Sequence, residues 1–104
     1  MGNEADYVKE LVASNPVAVF SKSYCPHCKR TKALLTSIGA KFHVVEMDQV
    51  DNGSAIQDAL AEITGQRSVP NVFIGGSPIG GADDTAKLHE AGELVTKLGG
   101  AGAI

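Results

Sequence analysis

Val17-Ala18-Val19-Phe20, followed by Ser21-Lys22-Ser23-Tyr24 and then Cys25-Pro26-His27-Cys28, decides how this chain folds. The first four residues form a short continuous apolar run, the pattern of a strand buried on both faces. The only two cysteines of the chain then open a helix whose apolar stripe is Leu34, Leu35 and Ile38, with Gly39 as its stop. Phe42-His43-Val44-Val45-Glu46 reads as the next strand. Strand, helix and strand in that order make a βαβ unit, which implies parallel pairing through a right-handed crossover. Two residues between cysteines at a helix start leave one sulfur exposed at the N-terminus and put the other a turn below, close enough to displace it. That spacing predicts a redox device.

Upstream, Tyr7, Val8, Leu11 and Val12 lie on one stripe of a helix over residues 3–14, closed by Asn15-Pro16. Downstream, Asp51-Asn52-Gly53-Ser54 is turn chemistry, and Ser54 with Gln57 has the form of a capping box opening a third helix. Ile56, Leu60 and Ile63 are its expected buried face and Gly65 its end. Val72-Phe73-Ile74, Gly75-Gly76 and Ser77-Pro78-Ile79 read as a hairpin whose second run, holding Pro78, is an edge strand. Gly80-Gly81-Ala82-Asp83-Asp84 leads into a last helical region with Leu88, Ala91, Val95 and Leu98 on one face and a break near Gly92. Residues 99–104 are expected to fray. The result is an α/β chain of one domain over residues 1–104, a four-stranded mixed β-sheet flanked by helices. With Cys-x-x-Cys at the first strand-to-helix junction, this is the thioredoxin-like arrangement.

Bulk properties narrow the function. A chain of 104 residues buries roughly 60 to 70% of its unfolded surface and needs neither disulfide nor metal to fold, which leaves the cysteines for chemistry. A net charge of -3 without a basic run argues against nucleic acid or an acidic membrane as partner. No apolar run reaches the roughly 18 residues of a membrane span. Met1-Gly2-Asn3-Glu4-Ala5-Asp6 lacks the basic and apolar regions of a leader, and Asp6 stands where a myristoylation signal wants Ser or Thr. A cytoplasmic monomer is the expectation.

Three separated motifs make the resemblance specific. Lys22 before the cysteine pair, Thr64-Gly65-Gln66-Arg67-Ser68-Val69-Pro70-Asn71-Val72-Phe73-Ile74, and Gly80-Gly81-Ala82-Asp83-Asp84 together resemble a glutaredoxin of the dithiol type, over about residues 5–98. Thioredoxin itself is the weaker match, because that family sets Trp before the cysteines where this chain has Tyr24. The resemblance implies a glutathione-dependent thiol-disulfide oxidoreductase whose co-substrate is glutathione and whose targets are glutathionylated and disulfide-containing proteins.

Chemistry gives the two cysteines different tasks. Only a thiolate attacks a disulfide, so Cys25, at the positive end of the helix with Pro26 in its first turn and Lys22 upstream, is expected to be the nucleophile. Cys28, a turn inside, is the expected resolving thiol. By similarity, Lys22, Gln57 and Arg67 would face the glycine carboxylate of glutathione. The Val69 backbone before a cis Pro70 would pair with its cysteinyl part, Tyr24 would be a further glutathione contact, and Asp83 and Asp84 at a helix start would take the γ-glutamyl end. Each has a plainer competitor: Gln57 a capping box, Asp83 and Asp84 ordinary caps, Lys22 and Arg67 solvated charges, Pro70 a trans loop proline.

His27 stands where glutaredoxins commonly carry Tyr, and Cys-Pro-His-Cys is similar to the motif of bacterial periplasmic thiol oxidases. His27 is therefore a candidate for stabilising the thiolate and making the disulfide more oxidising, against the alternative of a neutral surface substitution. Ala82 replaces a third Cys found in many plant-type relatives, so oxidation should stop at the 25–28 pair or at glutathionylation. No metal is expected, because two Cys and one His fall short of the four ligands of structural zinc. Cluster-binding glutaredoxins tend to have Gly or Ser where this chain has Pro26. A binding module that has lost its chemistry is disfavoured by the intact Lys22, Cys25, Val69-Pro70 and Asp83-Asp84.

Overall fold

The computed structural model describes residues 3–104; Met1 and Gly2, which entered the reading of the N-terminus, lie outside the described residues. Asn3 caps α1 (Glu4–Ser14), its side-chain oxygen accepting the Asp6 N–H at 2.9 Å. Asn15-Pro16 then turns the chain into β1 (Val17–Ser21), which is buried at every residue. It is buried because it is an inner strand: the sheet order is β2-β1-β3-β4. β2 (His43–Glu46) runs parallel to β1 after the crossover helix α2 (Pro26–Ile38), while β3 (Asn71–Ile74) pairs antiparallel on the other side. The hairpin to β4 (Ser77–Gly80) turns on Gly75 and Gly76, whose φ values of 59° and 84° match the left-handed turn that strand twist favours. Pro78 sits in the edge strand, where its missing N–H leaves no ladder bond unmade.

Strand alternation divides the core into two layers. Ala18 and Phe20 pack with Val8, Ile56 and Leu60 from α1 and from α3 (Gly53–Thr64), and the Phe20 ring meets Phe73 edge-on at 5.8 Å. Val17 and Val19 face Leu35 of α2 together with Leu94 and Leu98 of α5 (Glu93–Gly100). The C-terminal ends of β1 and β2 therefore emerge together beside the start of α2, and the cysteines stand there.

Four details depart from the sequence reading. The Ser54–Gln57 capping box does not form: a 3-10 turn at Met47–Gln49 brings Gly53 against the Met47 carbonyl and starts α3 at Gly53, which puts Ser54 inside the first turn. Tyr7 and Ile63 are exposed; Ile63, near the end of α3, lines a shallow apolar groove with Val8, Val12, Phe73 and Pro78. Gly92, at φ 75°, separates α4 (Ala82–Glu90) from α5 and resets the helical phase, so that Leu94 and Leu98 are buried and Val95 is not. Residues 99–104, expected to fray, carry the last turn of α5 and then dock: Ala103 is buried, its carbonyl accepts the Lys41 N–H at 2.8 Å, and its N–H reaches the Leu98 carbonyl at 2.9 Å.

Candidate active site

Cys25 is the N-cap of α2, and Pro26 occupies the first turn. Its extended backbone turns the sulfur back over the helix start, where Sγ accepts the Cys28 N–H at 3.4 Å. A thiol so placed meets unpaired amides and the positive end of the helix. The loop before it is held from both sides. The Cys25 N–H donates to the Lys22 carbonyl at 3.0 Å, and the Ser23 N–H donates to Asp48 at 2.8 Å while the Ser23 hydroxyl donates to the same carboxylate. Those Ser23 bonds hold the Asp48 carboxyl at about 2, below the usual range.

The two thiols, both free, occupy opposite environments: Cys25 is half-buried and Cys28 wholly buried. Burial works against the Cys25 thiolate, but the Cys28 thiol, the Cys28 and His27 amides and the Lys32 charge outweigh it and lower the Cys25 pKa. For Cys28 burial dominates and raises the pKa, reinforced by the neighbouring Cys25 and opposed by the Lys22 backbone and the Ser21 hydroxyl. At neutral pH the pair thus holds one activated sulfur and one protonated sulfur.

Across from Cys25 lies a second wall. The Val69-Pro70 peptide is cis, and the Val69 carbonyl is 4.0 Å from Cys25 Sγ. Gln66 braces this loop by donating to the carbonyls of Ser68 (3.1 Å) and Pro70 (3.0 Å), and Asn71 ties it to Thr64 (3.2 Å) and to the Gln66 carbonyl (3.3 Å). Gln57, instead of capping α3, donates to the Arg67 carbonyl at 2.8 Å. The Arg67 guanidinium meets Asp58 at 2.5 Å. Asp84 accepts the Gly81 N–H at 3.0 Å, which closes the start of α4, and Asp83 and Asp84 are both exposed. A groove of about 280 Å³ runs between His27 and this wall, lined also by Gln66, Val69, Ala82, Asp83 and Asp84.

The remaining expected residues fall around this groove. Tyr24 is exposed beside Cys25, Lys22 is half-buried, and His27 is exposed with its Nδ1 accepting from Arg30 at 3.0 Å. Arg30 also lies 3.7 Å from Asp83, linking the starts of α2 and α4. The structure gathers His27, Val69, Asp83 and Asp84 about one groove, sets Cys25 against the Val69 carbonyl at its side, and joins Gln57 to Arg67. Lys22 contributes its carbonyl, and the lysine charge felt by Cys25 belongs to Lys32.

Sequence reasoning missed Lys32, Asp48, Gln66 and Asn71 as working parts. Lys32 had a signal, since seven residues beyond Cys25 is the same helical face. Asp48 reaches the Ser23 backbone from 25 residues away, which no local pattern announces, whereas Gln66 and Asn71 bond within residues 64–71, where the path of the loop decides which groups they meet. Among the described residues no cluster of His, Cys, Asp or Glu is gathered as metal ligands would be, and no helix is long and apolar enough to cross a membrane.

Comparison with known proteins agrees with this architecture. The Glutaredoxin family profile matches residues 17–79, from β1 through the β3–β4 hairpin. A glutaredoxin of Ricinus communis is 60% identical over 96 residues, covering 92% of this chain and 94% of that protein. Glutaredoxin-C2 of Arabidopsis thaliana is likewise 60% identical, covering 92% of this chain and 86% of its own length. Among solved structures, the buckwheat glutaredoxin–glutathione complex superposes with a TM-score of 0.96 at 50% identity, covering 97% of this chain and 92% of that one. With the profile spanning the sheet and the cysteine helix, and relatives of this identity over nearly the whole length, the chain belongs to the glutaredoxin family.

Proposed function

We propose that this chain reduces protein–glutathione mixed disulfides and protein disulfides, with Cys25 as nucleophile and Cys28 as resolving thiol. The observation that carries this reading is the opposite treatment of the two sulfurs: Cys25 at the helix N-terminus with a lowered pKa, Cys28 buried with a raised one. In the first step the Cys25 thiolate attacks the glutathione sulfur of a mixed disulfide. A Cys25–glutathione disulfide forms, and the target leaves as thiolate and takes a proton from solvent. A second glutathione, as thiolate, attacks the glutathione sulfur of that adduct, releasing oxidised glutathione and restoring the Cys25 thiolate. With a protein disulfide, Cys25 forms the mixed disulfide and expels one target sulfur. Cys28 then gives up its proton, attacks Cys25 and expels the other, and two glutathiones reduce the resulting 25–28 bond.

The groove supports glutathione as co-substrate. The Val69 carbonyl beside Cys25 suits a short antiparallel backbone pairing with its cysteinyl part. The start of α4, with Asp83 and Asp84, suits the γ-glutamyl end, whose carboxylate takes backbone N–H groups and whose ammonium takes an acid. Lys22 and Arg67 supply positive charge for the glycine carboxylate, Arg67 by sharing its contact with Asp58, and Gln57 acts by fixing the Arg67 backbone. Tyr24 borders the approach of the target. The setting is a monomer in the cytoplasm, where glutathione is the reductant.

Turnover of a glutathionylated peptide with glutathione tests the assignment. Cys25→Ser is expected to be inactive, whereas Cys28→Ser keeps deglutathionylation and loses reduction of protein disulfides. Activity surviving in Cys25→Ser overturns it.

A further inference from the structure

Beneath the cysteine turn lies an ion pair that this reaction scheme does not use. Lys32 Nζ donates to Glu46 Oε2 at 2.6 Å, and both side chains are about three-quarters shielded, at 22% and 25% exposure. The other Glu46 oxygen, Oε1, is buried without a hydrogen-bond partner. Glu46 ends β2 directly opposite Ser21, the last residue of β1, which places the pair under the strand ends from which the active loop rises. Lys32 lies on the Cys25 face of α2, and a helical side chain leans toward the N-terminus, so its charge reaches back toward the sulfur.

We propose that Lys32 and Glu46 are positioning residues that set the field under the reacting sulfur, Lys32 supplying positive charge and Glu46 both anchoring and moderating it. A pair largely shielded from solvent acts more strongly on a neighbouring anion than exposed charges do. The other charges around Cys25 are Lys22 on its own loop, Asp48 bonded to Ser23 after β2, and Arg30 on α2 facing Asp83 on α4, of which the last three are exposed. The lowering of the Cys25 pKa includes the Lys32 charge, which fits this geometry. A carboxylate with one oxygen buried and unpartnered is an expensive anchor for packing alone, where Gln fits as well.

This inference rests on Cys25 being the nucleophile, so the experiment reads both. Alkylation of the single remaining thiol by iodoacetamide is followed against pH in Cys28→Ser, alone and combined with Lys32→Gln, Glu46→Gln and Lys32→Arg. On the rising limb of the profile, Lys32→Gln should slow alkylation about threefold or more, Glu46→Gln should quicken it by about twofold or more, and Lys32→Arg should restore the parent rate. Opposite directions are the signature of a field, because a purely structural pair would move both neutral variants the same way. Both moving together, or neither moving while Cys25 still titrates below an ordinary thiol, overturns the inference and leaves the reaction scheme standing. If Cys25 in the parent titrates as an ordinary thiol, the scheme itself fails. Circular dichroism on each variant confirms the fold, and Glu46→Gln keeps the test decisive if Lys32→Gln does not fold, because the field requires loss of this carboxylate to quicken alkylation, and an unchanged or slower rate overturns the inference.

Discussion

The two walls of the groove are built in different ways. The cysteine turn, residues 22–28, is made by helix geometry: an N-cap sulfur, a proline in the first turn and free amides, all within seven residues. The facing wall, residues 66–70 with the start of α4, is made by side chains reaching backbone carbonyls, above all Gln66 on Ser68 and Pro70. The first wall supplies reactivity and the second supplies shape. Damage to one should therefore alter the chemistry of the sulfur, and damage to the other should alter what docks beside it.

The largest effect expected is on the first wall. Cys28→Ser removes the resolving sulfur, so reduction of a protein disulfide should fall to background while glutathionylated peptide is still turned over; equal loss of both activities would show that the two sulfurs share one role. Next comes Gln66→Ala, which strips two bonds from the Val69-Pro70 loop. A rise of about tenfold in KM for glutathionylated peptide is expected with the alkylation profile of Cys25 unchanged, and a shifted profile would break the division between walls. Asn71→Ala should lower stability by about 1–3 kcal/mol in urea denaturation, because Asn71 is buried and bonds Thr64 and the Gln66 carbonyl.

The smallest effect concerns Asp48. Its carboxyl is held at about 2 by Ser23, so the folded state favours the charged form. A depressed carboxylate contributes stability that is present above its unfolded value of about 4 and is lost as pH falls through about 2. Asp48→Asn should therefore change little in the way Cys25 reacts at neutral pH but flatten the acid limb of a stability profile between about pH 4 and pH 2. An unflattened limb would mean that Asp48 does not hold the loop.

The same contrast explains what could be read from the chain. Val17–Phe20, Cys25–Cys28 and Gly75-Gly76 declared the central strand, the helix start and the hairpin through periodicity and turn chemistry. The α3 start was misplaced because the packing of Gly53 on Met47, a tertiary contact, overrode a plausible local cap. Val95 was misplaced because Gly92 reset the phase of the last helix. In the site, local geometry singled out Cys25, Cys28 and Pro26, whereas Glu46 meets Lys32 only once the sheet is assembled, and Gln66 and Asn71 meet their near neighbours only once the loop before β3 has taken its turn. Gln57 shows both sides: its spacing from Ser54 marks it in the sequence, but its bond runs to the Arg67 carbonyl and not to a helix cap.

The central claim is that the two cysteines, one helical turn apart, have unequal roles set by their surroundings. Cys25→Ser and Cys28→Ser are each mixed with glutathionylated peptide, quenched in acid and mapped by mass spectrometry for the sulfur that carries glutathione. The account predicts rapid glutathionylation of Cys25 in Cys28→Ser and essentially none on Cys28 in Cys25→Ser. Comparable labelling of Cys28 would contradict it.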